Sequence, residues 1–199
     1  MAKQTKISSK IVNYLEKAGV KYNILEHKTA YTALDIATTM RKKLSEIVKS
    51  LLVVADKDFY LALLPADHNL DFKKLAKAIG KLKNKTITTI KIPEEKVMES
   101  LLKIKAGAMS AFGGIYKLPV IIDKKLVKLK NGFFSSGSFN HSIEMAIKDF
   151  IKLEKVILAD FSIKKKIKTP KIVKVKKAIK GKKAKKEVKK VKKAKKIKK

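Results

Sequence analysis

The chain contains apolar residues at the spacings of both helices and strands, without a regular alternation of the two. Helices are predicted where apolar residues recur every three or four positions between a polar cap and a glycine or proline. They are placed after Ser8 or Ser9 as far as Gly19, and at residues 33–40, 72–79, 94–102 and 147–153. Strands are predicted at residues 20–26, 48–55, 59–64, 118–123, 133–137, 142–146 and 156–159, and a further β-rich segment at 85–90.

Two of these strands form the centre of the predicted fold. Residues 48–55 and 59–64 are almost wholly apolar, and Asp56, Lys57 and Asp58 join them as a β-hairpin. Runs this apolar are typical of strands that are buried on both faces. Because strands and helices otherwise mix without a steady rhythm, we expect an α+β domain with a mixed, mostly antiparallel sheet rather than a doubly wound fold.

A segment with almost no side chains, Ala106 to Gly114, precedes the strand at 118–123. Three glycines and three alanines in nine positions suit a backbone that bends sharply or lies close against another group. One interpretation is a tight turn between strands. The other is a site in which bare backbone N–H groups face the developing negative charge of a ligand.

Charge divides the chain into two parts. Residues 162–199 contain 21 lysines and one acidic residue, Glu187, so their net charge is +20, while residues 1–161 carry +13. Residues 1–161 are predicted to form one domain, since they are numerous enough to bury a core. Residues 162–199 have low complexity and no aromatic residue, and we expect them to be a disordered lysine-rich tail.

Missing residue types exclude several classes of site. The chain has no cysteine, which excludes disulfides and thiolate metal sites, and its three histidines lack paired spacing. The start of the chain lacks the apolar core of a signal peptide, and no apolar run approaches the roughly 18 residues of a membrane span. We therefore expect a cytoplasmic protein with no metal and no cofactor.

One lysine stands in an otherwise apolar run. Lys49 follows Val48, and its ammonium group needs water or an anionic partner because burying an unpaired charge is costly. From the residues alone, the simpler interpretation is a lysine at the mouth of a strand that extends its charge to solvent.

Motifs spread over residues 8–160 resemble those of the YbaK/prolyl-tRNA-synthetase-associated domain family of aminoacyl-tRNA deacylases. Their order and spacing are more specific than any one of them. The matching segments are Tyr-Thr-Ala at 31–33, Val-Lys-Ser-Leu at 48–51, Leu-Pro-Ala-Asp at 64–67, Gly-Ala-Met-Ser at 107–110, Phe-Gly at 112–113, Val-Ile-Ile-Asp at 120–123, and Gly-Ser at 137–138 near His141. One departure is Ala111, where the family's loop usually reads Gly-x-x-x-Pro; alanine keeps the backbone N–H that proline lacks.

This resemblance implies a partial barrel with flanking helices, and metal-independent hydrolysis of the ester that joins a wrong amino acid to the 3′ end of a tRNA. It implies that Lys49 holds the phosphate or ester end of the tRNA terminus. Backbone N–H groups would stabilise the tetrahedral intermediate, and they are those of Gly107, Ala108, Met109 and Ser110. The residues that the resemblance assigns to substrate binding are Tyr31, Thr32, Ser50, Ala111, Phe112, Gly137, Ser138 and His141. It further implies that the substrate's own terminal ribose hydroxyl takes part in the reaction.

Several polar residues keep two interpretations. His27 and His68 are expected at the surface rather than as ligands. His141 either lines the pocket or does not, since the family's histidine often lies nearer to the Gly-Ser pair. Asp123, at the end of a predicted strand, either orients the loop or caps a turn.

The predicted function is trans-editing of mischarged tRNA that carries a small amino acid such as Ala, Ser or Cys. The alternative is a domain of this family that has lost efficient catalysis through Ala111 and binds nucleic acid nonspecifically. The tail is expected to add affinity for tRNA, and for other RNA or DNA, through counterion release. An anionic membrane surface is a third partner that such a tail suits.

Overall fold

A long antiparallel hairpin lies at the centre of the fold. The computed structural model describes residues 7–102 and 109–165. In it, strand β2 (Ile47–Ala55) pairs with strand β3 (Asp58–Pro65) without a break. The predicted hairpin is therefore confirmed.

The other elements follow in chain order. The helices are α1 (Ser9–Lys17), α2 (Ala33–Thr39), α3 (Phe72–Lys83), α4 (Glu95–Leu102), α5 (Lys124–Val127) and α6 (Ile147–Glu154), with short 3-10 turns at Leu44–Glu46 and Gly113–Tyr116. The remaining strands are β1 (Tyr22–Glu26), β4 (His68–Leu70), β5 (Ile90–Lys91), β6 (Val120–Asp123), β7 (Asn131–Ser135), β8 (His141–Ala146), β9 (Ile157–Ala159) and β10 (Ser162–Lys164).

Most strands belong to one mixed sheet. Its order is β1-β8-β7-β2-β3-β6-β9, with β5 added to β2, and β4 pairs separately with β10. The contacts β7–β2, β3–β6 and β6–β9 are parallel, and the other pairs are antiparallel. The α+β class with a mixed, mostly antiparallel sheet is confirmed. Within the described residues the sheet is open, because β1 and β9 stand at its two ends.

The sheet is buried on both faces, as its apolar central strands require. On one face, Leu52 and Leu61 pack with residues of α1, α4, α5 and α6 in the larger core cluster. On the other face, Val53 and Tyr60 pack with Leu75 and other residues of α3. The helices therefore form a layer on each side of the central hairpin.

Helix α3 is longer than the sequence predicts. It was expected to end at Gly80, but it continues to Lys83 and ends at Asn84, which adopts a left-handed conformation (φ 51°). Gly80 lies inside the helix, and the chain returns close to it: a Cβ there would lie 2.7 Å from the carbonyl oxygen of Lys85. The glycine thus permits a close backbone contact instead of ending the helix.

The folded part of the chain also extends past the predicted boundary after residue 161. Strand β10 pairs with β4, and Lys164 lies opposite His68. His68, predicted in a surface loop, is half-buried in β4, and its Nδ1 lies 2.7 Å from Asp67 Oδ1. The rest of the predicted disordered tail, from residue 166 onward, lies outside the described residues.

The β-rich segment at 85–90 is a strand only at its end, where Ile90 begins β5. Thr88 and Thr89 instead donate their backbone N–H groups to Asp56 Oδ1, each at 3.0 Å, in the turn of the central hairpin. The side chain of Asp56 in the hairpin turn therefore takes the place of a strand partner for this segment.

None of the helices in the described ranges is long and apolar enough to cross a membrane.

Candidate active site

Strands β2 and β7 run side by side only briefly and then separate. Their pairing ends at Val48 and Phe134, and β5 joins the same edge of β2 only at Val54. Residues 49–53 therefore have no strand partner on this edge within the described residues. The backbone N–H and C=O groups on such an unpaired edge need other hydrogen-bond partners.

The loop with few side chains is held at this point. The N–H of Ala111 donates to the carbonyl oxygen of Ser135, at the end of β7, at 3.1 Å. If the parallel pairing of β2 with β7 continued beyond Val48 and Phe134, this carbonyl oxygen would accept from the N–H of Ser50 in β2 instead. The loop thus takes the place of β2 beside β7. The predicted donors Gly107 and Ala108 lie outside the described residues.

Some N–H groups of this loop are already used within the protein. Ala111 donates to β7, and Phe112 donates to Ser110 Oγ at 3.3 Å. Within the described ranges, the N–H groups of Met109 and Ser110 have no hydrogen-bond partner. Both residues are themselves buried.

Lys49 is the first residue of β2 beyond its pairing with β7. Its side chain shares a face of the sheet with its cross-strand partner Leu64, on the side of α3. It is half-buried and forms no ion pair with any described residue. Burial lowers the pKa of Lys49, and the nearby charge of Lys165 lowers it further. An ammonium group in these surroundings is suited to an anionic ligand.

Ser50 points to the opposite face of the sheet from Lys49. On that face its neighbours along β2, Val48 and Leu52, belong to the larger core cluster. Ser50 Oγ is buried and has no hydrogen-bond partner among the described residues. Since buried hydroxyl groups are nearly always hydrogen-bonded, this oxygen indicates a place for a water molecule or a ligand. The structure therefore does not bring the Lys49 ammonium and the Ser50 hydroxyl to the same face.

Two loops that follow β1 and β7 lie together and carry an aromatic pair. Ala30 N–H donates to Phe139 C=O at 2.8 Å, and the rings of Tyr31 and Phe139 are 5.1 Å apart. Tyr31 is 69% exposed, so its ring is available to a ligand. Thr32 instead caps α2 in a reciprocal capping box with Asp35. Phe139 was not predicted, although it directly follows the Gly-Ser motif.

His141 directly follows the second of these loops and is the first residue of β8. It is half-buried, and its Nδ1 lies 2.9 Å from Asn140 Oδ1. Ser138 Oγ donates to the same Asn140 oxygen at 2.6 Å, and Gly137 adopts a positive φ of 80°. The motif therefore forms a compact polar turn. Since the amide oxygen only accepts, the neutral His141 ring carries its proton on Nδ1 and leaves Nε2 as an acceptor.

His27 is not the surface residue that the sequence predicts. It is half-buried, and its Nδ1 donates to the carbonyl oxygen of Lys28 at 2.9 Å. Its Nε2 accepts from the hydroxyl of buried Ser142, also at 2.9 Å. His27 therefore links β1 to β8, and this structural role is independent of any ligand.

Phe112 anchors the loop in the core. It is fully buried, and its ring packs against Tyr14, Phe134 and Phe150. Its side chain is therefore used in packing, so the predicted contact with substrate would have to come from its backbone. A Cβ on the next residue, Gly113, would lie 2.4 Å from a side-chain carbon of Val120, which explains the glycine there as a close-packing residue.

A partly buried carboxylate fixes the end of the same loop. Glu154 Oε2, at the end of α6, accepts from Gly114 N–H at 2.8 Å, and the carboxylate also bonds Gly113 N–H and the Tyr14 hydroxyl. Burial raises the pKa of Glu154, and burial together with the Glu154 charge raises the pKa of Tyr14. Nothing in the local sequence indicates this contact, since Glu154 is distant from the loop along the chain.

The raised pKa of Glu154 predicts a pH dependence of stability. The folded state binds this proton more tightly than the unfolded chain does, so the free energy of unfolding should fall as pH rises from about 4.5 through the raised pKa. Glu154→Gln should flatten the curve in this interval. Urea unfolding between pH 4 and 8 measures both curves, with exposed Glu16→Gln as the control. Equal slopes for wild type and Glu154→Gln would contradict the prediction.

Asp123 serves as a cap, which was one of its two predicted roles. It is fully buried, and Oδ1 accepts from the N–H of Lys125 at the start of α5. Oδ2 accepts from Phe161 N–H at 2.9 Å. Asp123 thus connects β6 to the segment that leads into β10. In the described part of the chain, no three His, Asp or Glu side chains come together as a metal would require.

Comparison with known proteins assigns the family. Residues 27–153 match the family model of the aminoacyl-tRNA editing domain. The chain is 24% identical over 164 residues to the prolyl-tRNA editing protein ProX of Acetoanaerobium sticklandii, and the match covers 79% of this chain and 94% of that protein.

Two solved structures share the fold. The crystal structure of hypothetical protein APE2540 has a TM-score of 0.68 and 19% identity, and the match covers 78% of this chain and 100% of the other. A candidate trans-editing enzyme for prolyl tRNA synthetase has a TM-score of 0.65 and 21% identity, over 79% and 99% of the two chains. The matched family range contains Lys49, the loop at 109–112 and His141. The chain therefore belongs to the aminoacyl-tRNA editing domain family.

Proposed function

We propose that this protein hydrolyses the ester bond of tRNA that has been charged with a wrong, small amino acid such as Ala, Ser or Cys. The observation that carries this proposal is the position of Lys49, a half-buried cation that has no counter-ion among the described residues and lies where β2 parts from β7. The terminal phosphates of a tRNA supply the negative charge that such a cation lacks.

The loop at 107–110 supplies the second part of the proposed site. As water attacks the acyl carbon, the carbonyl oxygen becomes negative, and the N–H groups of Met109 and Ser110, with those of Gly107 and Ala108, would stabilise it. The tetrahedral intermediate then breaks the carbon–oxygen bond to the ribose. The free amino acid leaves, and the ribose oxygen takes up a proton. The neighbouring 2′-hydroxyl of the substrate is proposed to position the water and relay this proton.

Two considerations define the proposed substrate. A small side chain is difficult for a synthetase to exclude by size, so errors of this kind need a separate hydrolase. The relative named a prolyl-tRNA editing protein suggests that the tRNA is the one specific for proline.

The exposed Tyr31 ring beside Phe139 is proposed to contact the terminal adenosine.

Deacylation of a panel of mischarged tRNAs at physiological salt tests the proposal. We expect Ala, Ser or Cys esters to be hydrolysed well above the spontaneous rate, and larger residues slowly. A substrate with a 2′-deoxy terminal ribose should react at least about 100-fold more slowly. Spontaneous rates for every ester would reject the enzyme.

A second function has one observation in its favour, the net charge of +33. A protein this basic attracts nucleic acid without sequence preference. If the panel shows no turnover while the protein still binds RNA with a steep salt dependence, the nonspecific binding function is the better account.

A further inference from the structure

The segment after β9 carries a second lysine to the turn that follows β3. Strand β10 pairs with β4 as far as Lys164, and Lys165 continues the contact by donating its N–H to Asp67 C=O at 2.9 Å. The Lys165 ammonium donates to Ala66 C=O at 2.8 Å. Backbone and side chain of Lys165 are thus both fixed to this turn.

The same turn lies beside Lys49. Ala66 N–H donates to Ile47 C=O at 2.9 Å, and Lys49 pairs with Leu64, two residues before Ala66. Because cross-strand partners present their side chains on one face, Lys49 points to the face where Leu64 packs with Phe161, shortly before β10. Burial lowers the pKa of Lys49, and the positive charge of Lys165 lowers it further, so the two ammonium groups repel each other across this turn.

This pair of cations has no acidic partner in the part of the chain that the structure describes. Both lysines are half-buried, and the ion pairs of lysine in the described residues belong to Lys83, Lys85 and Lys125. The neighbouring acidic group, Asp67, lies 2.7 Å from Nδ1 of His68, the other titratable group of this turn. Two like charges held together and partly out of water are unfavourable unless an anion lies between them.

We propose that Lys165 and Lys49 together bind one backbone phosphate of the tRNA 3′ end, and that Lys165 is a substrate-binding residue of this site. The inference rests on the proposed function. An ammonium group has three donors, and the bond to Ala66 uses one of them, so the other two remain for phosphate oxygens. Lys165 takes no part in the chemical step, so its effect falls on KM.

Kinetics with two esters tests the proposal. The first is the alanyl ester of a CCA trinucleotide, which contains phosphates, and the second is 3′-alanyl adenosine, which contains none. Lys165→Ala should raise KM for the trinucleotide ester about tenfold, leave kcat within about twofold, and leave the adenosine ester unaffected. The exposed neighbour Lys164→Ala is the matched control and should change neither. The proposal would be overturned if Lys165→Ala and Lys164→Ala had the same KM for the trinucleotide ester, or if Lys165→Ala raised KM equally for both esters.

Binding distinguishes this inference from the proposed function. If the wild type hydrolyses no ester, the proposed function fails, and an NMR titration with unacylated CCA trinucleotide still tests Lys165. Weaker binding by Lys165→Ala than by Lys164→Ala supports the shared phosphate, and equal binding rejects it. The double variant Lys49→Ala/Lys165→Ala should lose less affinity than the product of the two single losses, since both lysines bind one group.

Discussion

Replacing Lys49 with methionine is expected to lower kcat/KM for the mischarged tRNA by about 100-fold, because the substrate phosphate loses a charge-assisted contact worth about 3 kcal/mol. Methionine keeps the length and the apolar stem of the side chain, so the packing on the face of α3 should survive. The measurement is steady-state deacylation of the best substrate in the panel.

The free energy of unfolding of this variant should not fall with its activity. A loss of activity could therefore not be explained by misfolding. Because burial lowers the pKa of Lys49, its ammonium is less favourable in the folded chain than in the unfolded chain below that pKa. The variant removes this penalty, so its free energy of unfolding at pH 7 should equal or exceed that of the wild type. Lys57→Met, in the exposed turn of the same hairpin, is the control and should keep full activity. Full activity in the Lys49 variant would remove this residue from the site.

Introducing the family's usual proline, Ala111→Pro, is expected to destabilise this protein by about 3 kcal/mol. The change removes the N–H that donates to Ser135 C=O and adds ring atoms where Ala111 is fully buried. Chemical denaturation measures the loss, and deacylation should fall with it because the loop loses its contact with β7.

A glycine control separates the hydrogen bond from the stiffness of the loop. Ala111→Gly keeps the N–H and adds backbone freedom, so it should cost only about 1 kcal/mol. If Ala111→Pro proves as stable as the wild type or more so, the hydrogen bond to Ser135 contributes little to stability. The alanine would then only make the loop less rigid than the family's usual proline does.

The residues of the candidate site come mainly from resemblance, and their roles stay predictions. Resemblance selected Lys49 and the loop at 107–110, whereas composition and spacing left each with an ordinary structural explanation. Neither source indicated Glu154 or Lys165, because each approaches the site from a distant part of the chain. The resemblance assigns Phe112 to substrate binding, and its ring is fully buried in the core, so a contact with substrate would have to come from its backbone.

The amino-acid sequence by itself determined the hairpin of β2 and β3, the positions of most helices and the α+β class, because apolar spacing and capping residues act over a few neighbouring positions. Long-range packing decided the rest. Helix α3 continues through Gly80, which the carbonyl oxygen of Lys85 approaches closely, and β10 pairs with β4, and neither contact is visible in the local sequence. Only the tertiary structure parts β2 from β7, bonds Ala111 to Ser135 and fixes Lys165 to Ala66 in the turn after β3, because these contacts join residues that are distant along the chain.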